Sequence, residues 1–330
     1  MVKDKKALII LLLVIAALPL IFKSDSFHNI LILLLIFASL GEAWNIITGF
    51  AGQTSFGHAA FFGIGAYASS VLFYKFDISP WIGMFAGVLT AAVVAAIISY
   101  PCFRLKDSYF AIATLAVAEI IKQIFVSWDF VEGATGISLP VMDDSLVFMQ
   151  FNSSKLPYIY IALILFAVVI FICSYIENSK MGFYLKTIRE SHEVAESIGV
   201  NTANYKTYAM IISAALSATA GTLYAQYILY IDPFMLFTLD MSIKIVLLTV
   251  LGGIGNIYGP IIGASILIPL SETTRIMLGG TGSGIDLMIF GLLVILVACF
   301  QPKGIIGLVE KARQNIKKQK AGEGEVEINS

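Results

Sequence analysis

The sequence predicts an all-α protein: a polytopic transmembrane bundle of about ten helices, some short or broken, with both termini cytoplasmic. Three observations lead there. Hydrophobic residues make up 58% of the 330-residue chain and charged residues 13%, where a soluble domain carries about 25% charged. Apolar runs long enough for a hydrocarbon core of about 30 Å recur along the chain. Lys and Arg gather on alternate sides of those runs. The net charge of −1, with no basic patch interleaved with aromatics, argues against a nucleic-acid partner.

The apolar runs place spans near 7–22, 28–48, 57–74, 80–100, 109–128, 156–176, 207–230, 240–254, 257–275 and 285–300. The first follows MVKDKK, a basic start that also suits a signal peptide. No small-x-small cleavage site precedes Lys23, which favours a retained span. With the N-terminus inside, the inner segments hold Lys3, Arg104, Lys180, Lys186, Arg189, Lys206 and the tail lysines. The outer segments hold only Lys23, Lys75, Lys155 and Arg275. Residues 1–309 then form the membrane domain, with an inner loop over about 177–206, and 310–330 form a polar cytoplasmic tail. Cys102, Cys173 and Cys299 sit in or beside apolar runs without CxxC spacing, so they read as small buried hydrophobes and not as metal ligands.

Glycine spacing suggests how the helices pack. In lipid, small residues let backbones approach, because hydrophobicity cannot drive helices together there. Gly255, Gly259 and Gly263, spaced at four, are expected on one helix face, as are Gly83 with Gly87 and Ser217 with Gly221.

The stretch GEAWNIITGFAGQTSFGHAAFFGIGAY at 41–67 is different, because polar residues accompany its six glycines. Gly49, Gly52 and Gly57 interrupt the helix pattern, and Gln53, Thr54 and Ser55 are poor lipid-facing residues. Broken backbone at membrane depth is tolerated only inside protein or beside a watery cavity. Thr54 or Ser55 is expected to cap the helix resuming near Gly57. LGGIGNIYGP at 251–260 is a second joint of the same character, with Asn256 as its carboxamide. Two such joints in separate halves fit a transporter built around a central path; a cytoplasmic turn with an ordinary cap is the plainer alternative. On the first view Glu42, Asn45, Gln53, Thr54, Ser55, His58, Glu119 and Asn256 are candidate path residues.

Ionisable residues within spans are costly and usually face the bundle interior. Glu119 and Lys122 stand at i and i+3 and are expected to pair. Lys244 and Glu272 lie near span ends and are expected to snorkel. His58 and Glu42 alone could extend a proton relay, which makes that reading weak. The sequence suggests no credible catalytic constellation, such as paired intramembrane aspartates, a Ser–His pair or a metal cluster, and has no GxxxxGK[ST] loop, so catalysis by this chain is not expected.

The inner loop reads KMGFYLKTIRESHEVAESIGVNTANYKTY. Ile188, Ala195 and Ile198 fall on one helical face with Val194 beside them, ringed by Arg189, Glu190, Glu193 and Glu196. Gly199 suits the position that ends a helix, and Asn201 or Thr202 the cap of the next. A membrane-lying helix would favour Lys and Arg; a narrow apolar stripe ringed by mixed charge better fits a protein groove.

EVAESIG in this loop has the form E-x-A-x-x-x-G, which resembles the ATPase-docking coupling motif of ABC importer permeases. Together with NIITGFAGQTSFGHAAFFGIGAY, DSYFAIATLAVAEIIKQ, GATGISLP, IRESHEVAESIGVN and VLTVLGGIGNIYGPIIGA, in that order over roughly 30–305, the chain resembles the branched-chain amino acid (LivM-type) permease family, which also contains urea permeases. Glu132 departs from the pattern, where the family more often has Thr or Gly.

The resemblance implies a permease subunit of an ATP-driven importer in a bacterial or archaeal (inner) cell membrane. Its helix at about 186–199, through Ile188, Arg189, Glu193, Ala195, Ile198 and Gly199, would dock on the ATPase. The implied partners are a second homologous permease, two cytoplasmic ATPases and a periplasmic or extracellular solute-binding protein. No cofactor is expected in this chain, with ATP-Mg used by the ATPases. A urea or amide permease of the same family, or a stand-alone ion-coupled transporter, are the other readings.

Overall fold

Apolar length decides where the helices form. The computed structural model describes residues 2–105, 107–277, 288, 291, 292, 295 and 304–307. The span expected over 285–300 therefore lies mostly outside the described residues, and the tail over 310–330 and Cys299 wholly so. The helices are α1 (Val2–Ile21), α2 (Asp25–Asn45), α3 (His58–Phe76), α4 (Pro80–Cys102), α5 (Asp107–Ser127), α6 (Leu156–Glu177), α7 (Lys180–Glu190), α8 (His192–Ser197), α9 (Thr202–Ile228), α10 (Pro233–Leu236), α11 (Leu239–Gly252) and α12 (Gly259–Met277). Seven segments among the described residues are long and apolar enough to cross a membrane. They are α2 with its extension to Phe50, α3, α4, α5 from Tyr109, α6, α9, and α10 with α11. The chain is a multi-pass helix bundle.

Burial sorts the helices into a centre and a rim. The apolar window of α2 is 94% buried and those of α3 and α9 72%, against 28% for α4 and 22% for α5. Helix α2 is thus the axis, packed by α6, α9, α11 and α12, while α3, α4 and α9 all pack against one another. On α4 the residues Ile82, Phe85, Leu89, Val93 and Ile97 form an exposed apolar stripe, the pattern of a surface made for lipid or another apolar partner.

Small residues set the crossings, as the spacing predicted for Gly83 and Gly87. A Cβ at Gly83 would come 2.7 Å from Ser69 Cα, and one at Gly87 3.0 Å from Gly65 Cα, both on α3. Between α9 and α3, a Cβ at Gly221 of α9 would stand 1.9 Å from the Phe62 carbonyl oxygen. Thr222 Oγ1 then donates to the Gly65 carbonyl at 3.0 Å. The expectation of one face for Gly255, Gly259 and Gly263 needs correction. Gly259 and Gly263 are on α12 and pack on Gly253 and Leu248, but Gly255 lies in the preceding loop at φ +79°. A left-handed residue cannot continue a right-handed helix.

The long connection between α5 and α6 is more ordered than a polar loop suggests. Ile137–Ser138 (β1) pairs antiparallel with Tyr230–Ile231 (β2), in the register Ile137 to Ile231. This two-residue ladder is an addition to the expected all-α fold. Glu132 pairs with Lys75 at 3.3 Å, and Lys75 lies 4.6 Å over the Phe130 ring, so the loop is tied to the end of α3. The Asp144 carboxylate accepts the Asn152 N–H at 2.5 Å and the Ser153 N–H at 3.3 Å. Hydrogen bonds from Ser153 and Asn152 hold its pKa below the ordinary value.

Two outcomes are expected. Gly221→Val forces α9 off α3 and destabilises the chain toward the upper end of the about 1–3 kcal/mol typical of overpacking, read as a lower unfolding midpoint in detergent. The Asp144 anchor, with its depressed folded pKa, is intact above the ordinary carboxylate value of about 3.9 and is lost only as pH falls through the lower folded value. Asp144→Asn therefore speeds hydrogen exchange of the Asn152 and Ser153 amides at pH 7, and unchanged exchange would refute the anchor.

Candidate functional site

Helix α2 does not stop cleanly. It widens at Ile46–Phe50 into a π-helical turn, a feature that often marks functional sites. The chain then turns through Gly52 at φ +72° and re-enters helix at His58. Many polar backbone groups in this break find a protein partner. The Thr48 carbonyl takes the Gly52 N–H and the Ile47 carbonyl the Gln53 N–H, each at 3.1 Å. Thr48 Oγ1 donates to the Gln53 carbonyl at 2.9 Å, and Trp44 Nε1 to the Ser55 carbonyl at 2.6 Å. From neighbouring helices, Thr114 Oγ1 accepts the Phe56 N–H at 3.1 Å and Ser242 Oγ donates to the Phe56 carbonyl at 2.7 Å.

The cap differs from expectation in one respect. Gly57 is the N-cap of α3, and Ser55 Oγ accepts the Gly57 N–H at 3.2 Å; Thr54 is exposed. Ser55 continues into a chain whose proton positions follow from counting donors. Ser213 Oγ donates to the Ala43 carbonyl at 2.5 Å, so toward His58 it can only accept. His58 Nε2, 2.7 Å away, therefore carries the proton. His58 Nδ1 is left to accept the Ser55 hydroxyl at 3.0 Å. A neutral imidazole thus closes a sequence from Gly57 through Ser55, His58 and Ser213 to Ala43, joining α3, α9 and α2.

Asn45 joins this break to the second one. Its Oδ1 accepts the Gly255 N–H at 2.8 Å and its Nδ2 donates to the Asn256 carbonyl at 3.1 Å. Asn256 Oδ1 in turn accepts the Tyr258 N–H at 2.9 Å, just ahead of α12. The two joints foreseen in separate halves of the chain are therefore in contact.

The α6–α9 connection sits against these joints. The single helix expected over about 186–199 is two helices, α7 and α8, because Ser191 is extended (φ −160°, ψ 122°) and caps α8 by accepting the Val194 N–H. Ile188 and Ala195 are buried with Val200 between Tyr184 and Tyr205, which locks the two helices into one hairpin. Val194 and Ile198 face outward, 55% and 59% exposed, beside exposed Glu190, Glu193 and Glu196. Gly199 ends α8 at φ +79°, as its position suggested. Arg189 turns away from this tip: its Nη1 donates to the Gly49 carbonyl at 2.6 Å. A polar cavity of about 490 Å³ lies beside the hairpin, lined among others by Gln53, Arg104, His192, Glu196 and Lys206.

A family model described as "Branched-chain amino acid transport system / permease component" matches residues 26–298. The chain belongs to that family. This permease is 26% identical to the high-affinity branched-chain amino acid transport system permease protein LivM of Escherichia coli (strain K12), over 92% of its own length and 75% of the relative's. It is 27% identical to LivH of Salmonella typhimurium, over 83% and 92% of the two chains, and 27% identical to a probable LivM of Methanocaldococcus jannaschii, over 74% and 77%. No solved structure matches the permease.

The candidate path residues fall into separate groups. Asn45 and Asn256 meet, and Ser55 and His58 meet. Glu42 is fully buried on α2, one turn from Asn45, and among the described residues its two carboxylate oxygens make no hydrogen bond of ordinary geometry, nor does Gln53 Oε1. Glu119 is elsewhere, 52% exposed on α5, where Lys122 Nζ lies at 2.8 Å and Gln123 Nε2 at 3.2 Å. Glu272 does not snorkel: it is buried and paired with Arg275 at 2.9 Å. Lys244 lies 4.5 Å over the Phe37 ring. Sequence reasoning missed Trp44, Thr114, Ser213 and Ser242. Their only signal was a polar group in an apolar helix, where such groups hydrogen-bond between helices.

His58→Ala leaves Ser55 and Ser213 buried and short of a partner, at a cost of about 1–3 kcal/mol for each group left unsatisfied. A clear drop in the unfolding midpoint of the purified permease is the expected result, and an unchanged midpoint would remove the bridge.

Proposed function

We infer that this chain is one of two membrane subunits of an ATP-driven importer for branched-chain or related amino acids, with the α7–α8 hairpin as its docking element for a cytoplasmic ATPase. The family match and the names of its relatives support the substrate class. The observation that carries the mechanism is the hairpin's division of labour. Ile188 and Ala195 hold it rigid from inside, while Val194 and Ile198 stand outside among three glutamates. Exposed aliphatic side chains ringed by carboxylates call for a groove with an apolar floor and a basic rim.

The rest of the assembly follows from chemistry this chain does not carry. ATP-Mg binds and is hydrolysed in two partner ATPases, and substrate is delivered by a periplasmic or extracellular solute-binding protein. The excess of Lys and Arg beside the hairpin supports a cytoplasmic position for it and for both termini, with about ten spans in a bacterial or archaeal inner membrane. The α5 face that exposes Glu119 and Gln123, with Lys122 alongside, is unsuited to lipid; it faces the second, homologous permease at the transport path. A binding protein that selects substrate allows that path to bind weakly.

Reconstitution tests this reading. Uptake into liposomes requires ATP, the ATPases and the binding protein; uptake by the chain alone, driven by a proton gradient, would instead establish an ion-coupled transporter. At the hairpin, Gly199→Val meets no neighbour within 4 Å but must hold a β-branched residue at φ +79°. It is expected to lower uptake about tenfold or more, with a fall in the unfolding midpoint no larger than the about 1–3 kcal/mol of strain at that one residue.

A further inference from the structure

Arg189 would be expected to decorate the docking tip. It is exposed, yet its guanidinium reaches away from the tip to the Gly49 carbonyl at the end of α2. Lys186 pairs with Glu177 of α6 and Glu196 accepts from Thr202 of α9, so these bonds stay within elements contiguous with the hairpin. Arg189 instead reaches across 140 residues of sequence to the end of α2. The Gly49 carbonyl it meets is among the last of the π-turn, where helix carbonyls lack intrahelical donors and carry partial negative charge. A guanidinium there makes a charge-assisted hydrogen bond, roughly twice as strong as a neutral one.

Glycines on both joints make room for this side chain. A Cβ at Gly52 would come 2.9 Å from Arg189 Cγ, and one at Gly255 2.5 Å from Arg189 Nη1. The stem therefore lies against the first joint and the head against the second. Asn45 completes the knot, since it binds Gly255 and Asn256 and touches Gly49, where an added Cβ would meet its Oδ1. Three segments distant in sequence share one small contact: residues 45–52, residues 255–256 and Arg189.

We propose that Arg189, seated against the two joints that Asn45 ties together, is the positioning residue that transmits displacement of the α7–α8 hairpin to the ends of α2 and α12. The hairpin moves as a body, because Ile188 beside Arg189 belongs to its inner cluster. A shift of that body pulls on the Gly49 carbonyl and presses on Gly255. The joints respond because each contains residues at positive φ and an interrupted helix. This inference rests on the docking reading above.

The test separates the two. In the assembled transporter, Arg189→Gln is expected to keep the ATPase bound and hydrolysing while uptake per ATP falls about tenfold, with partial recovery in Arg189→Lys. Unchanged uptake per ATP would overturn the transmission role and leave docking intact. Loss of ATPase binding in Arg189→Gln would also overturn it, by making Arg189 a docking residue. Ile198→Glu probes docking alone and is expected to release the ATPase. A second measurement needs no partner. Hydrogen exchange of the full chain in lipid nanodiscs is expected to quicken about tenfold in both 46–57 and 251–258 for Arg189→Gln, with α4 unchanged. Quickening confined to 46–57 would break the link between the joints and sink the proposal.

Discussion

A backbone amide or carbonyl left open inside a bilayer has no water to turn to, and the heart of this permease is arranged around that constraint. Between Ile46 and His58 the main chain leaves α-helical geometry, yet its exposed groups are taken by Thr48, Trp44, Ser55, Thr114 and Ser242. These side chains come from α2, α5 and α11 as well as from the break itself. A single interruption in one helix thus recruits several others, and their mutual placement follows from it. The same logic gives His58 its role. Both ring nitrogens are engaged with serines, so the imidazole works as a strut between helices. A proton passing through it would have to break that chain.

Much of the fold was legible because bilayer thickness is a strict ruler. Runs such as 80–100 and 156–176 became α4 and α6 almost to the residue. Both glycine-rich joints were visible too, since polar residues amid apolar runs are conspicuous. What the sequence hid was which partner each polar group would choose. Asn45 lies one turn from Glu42, but what its carboxamide binds is the second joint, more than 200 residues on, which spacing along one helix could not reveal. Periodicity identified an apolar stripe through Ile188, Ala195 and Ile198, but not the extended residue at Ser191. That break turns Ile188 and Ala195 inward and leaves Val194 and Ile198 outside. A helical wheel assumes an unbroken helix, and one serine in extended geometry invalidates it.

The rim of the bundle shows a second use of polarity. The outer face of α4 is wholly aliphatic and aromatic at Ile82, Phe85, Leu89, Val93 and Ile97, whereas α5 exposes Glu119 and Gln123 with Lys122 alongside. These two helices are neighbours, similar in length, and differ in that α5 sets this polar group among exposed Ile112, Ile120 and Ile124. Hydrocarbon would suit the first and penalise the second by about 2.5–3.5 kcal/mol per charge at the membrane centre. Pairing of Glu119 with Lys122 lessens that penalty without removing it. A charged group so placed on α5, unlike anything on the exposed stripe of α4, is costly unless something other than hydrocarbon covers it.

Transmission of motion needs a stiff part and a yielding part in contact. The α7–α8 hairpin is the stiff part, with its own buried cluster and a capping side chain at the start of each helix. The joints yield, because a π-turn and glycines at positive φ can change conformation with little steric resistance. Had α2 run straight through residues 46–57, the last carbonyls would have been absorbed in the helix ladder and Arg189 would have had nothing to hold. The interruption therefore serves two ends at once: it creates an unpaired carbonyl at the base of the axial helix, and it permits the movement that a force on that carbonyl would drive.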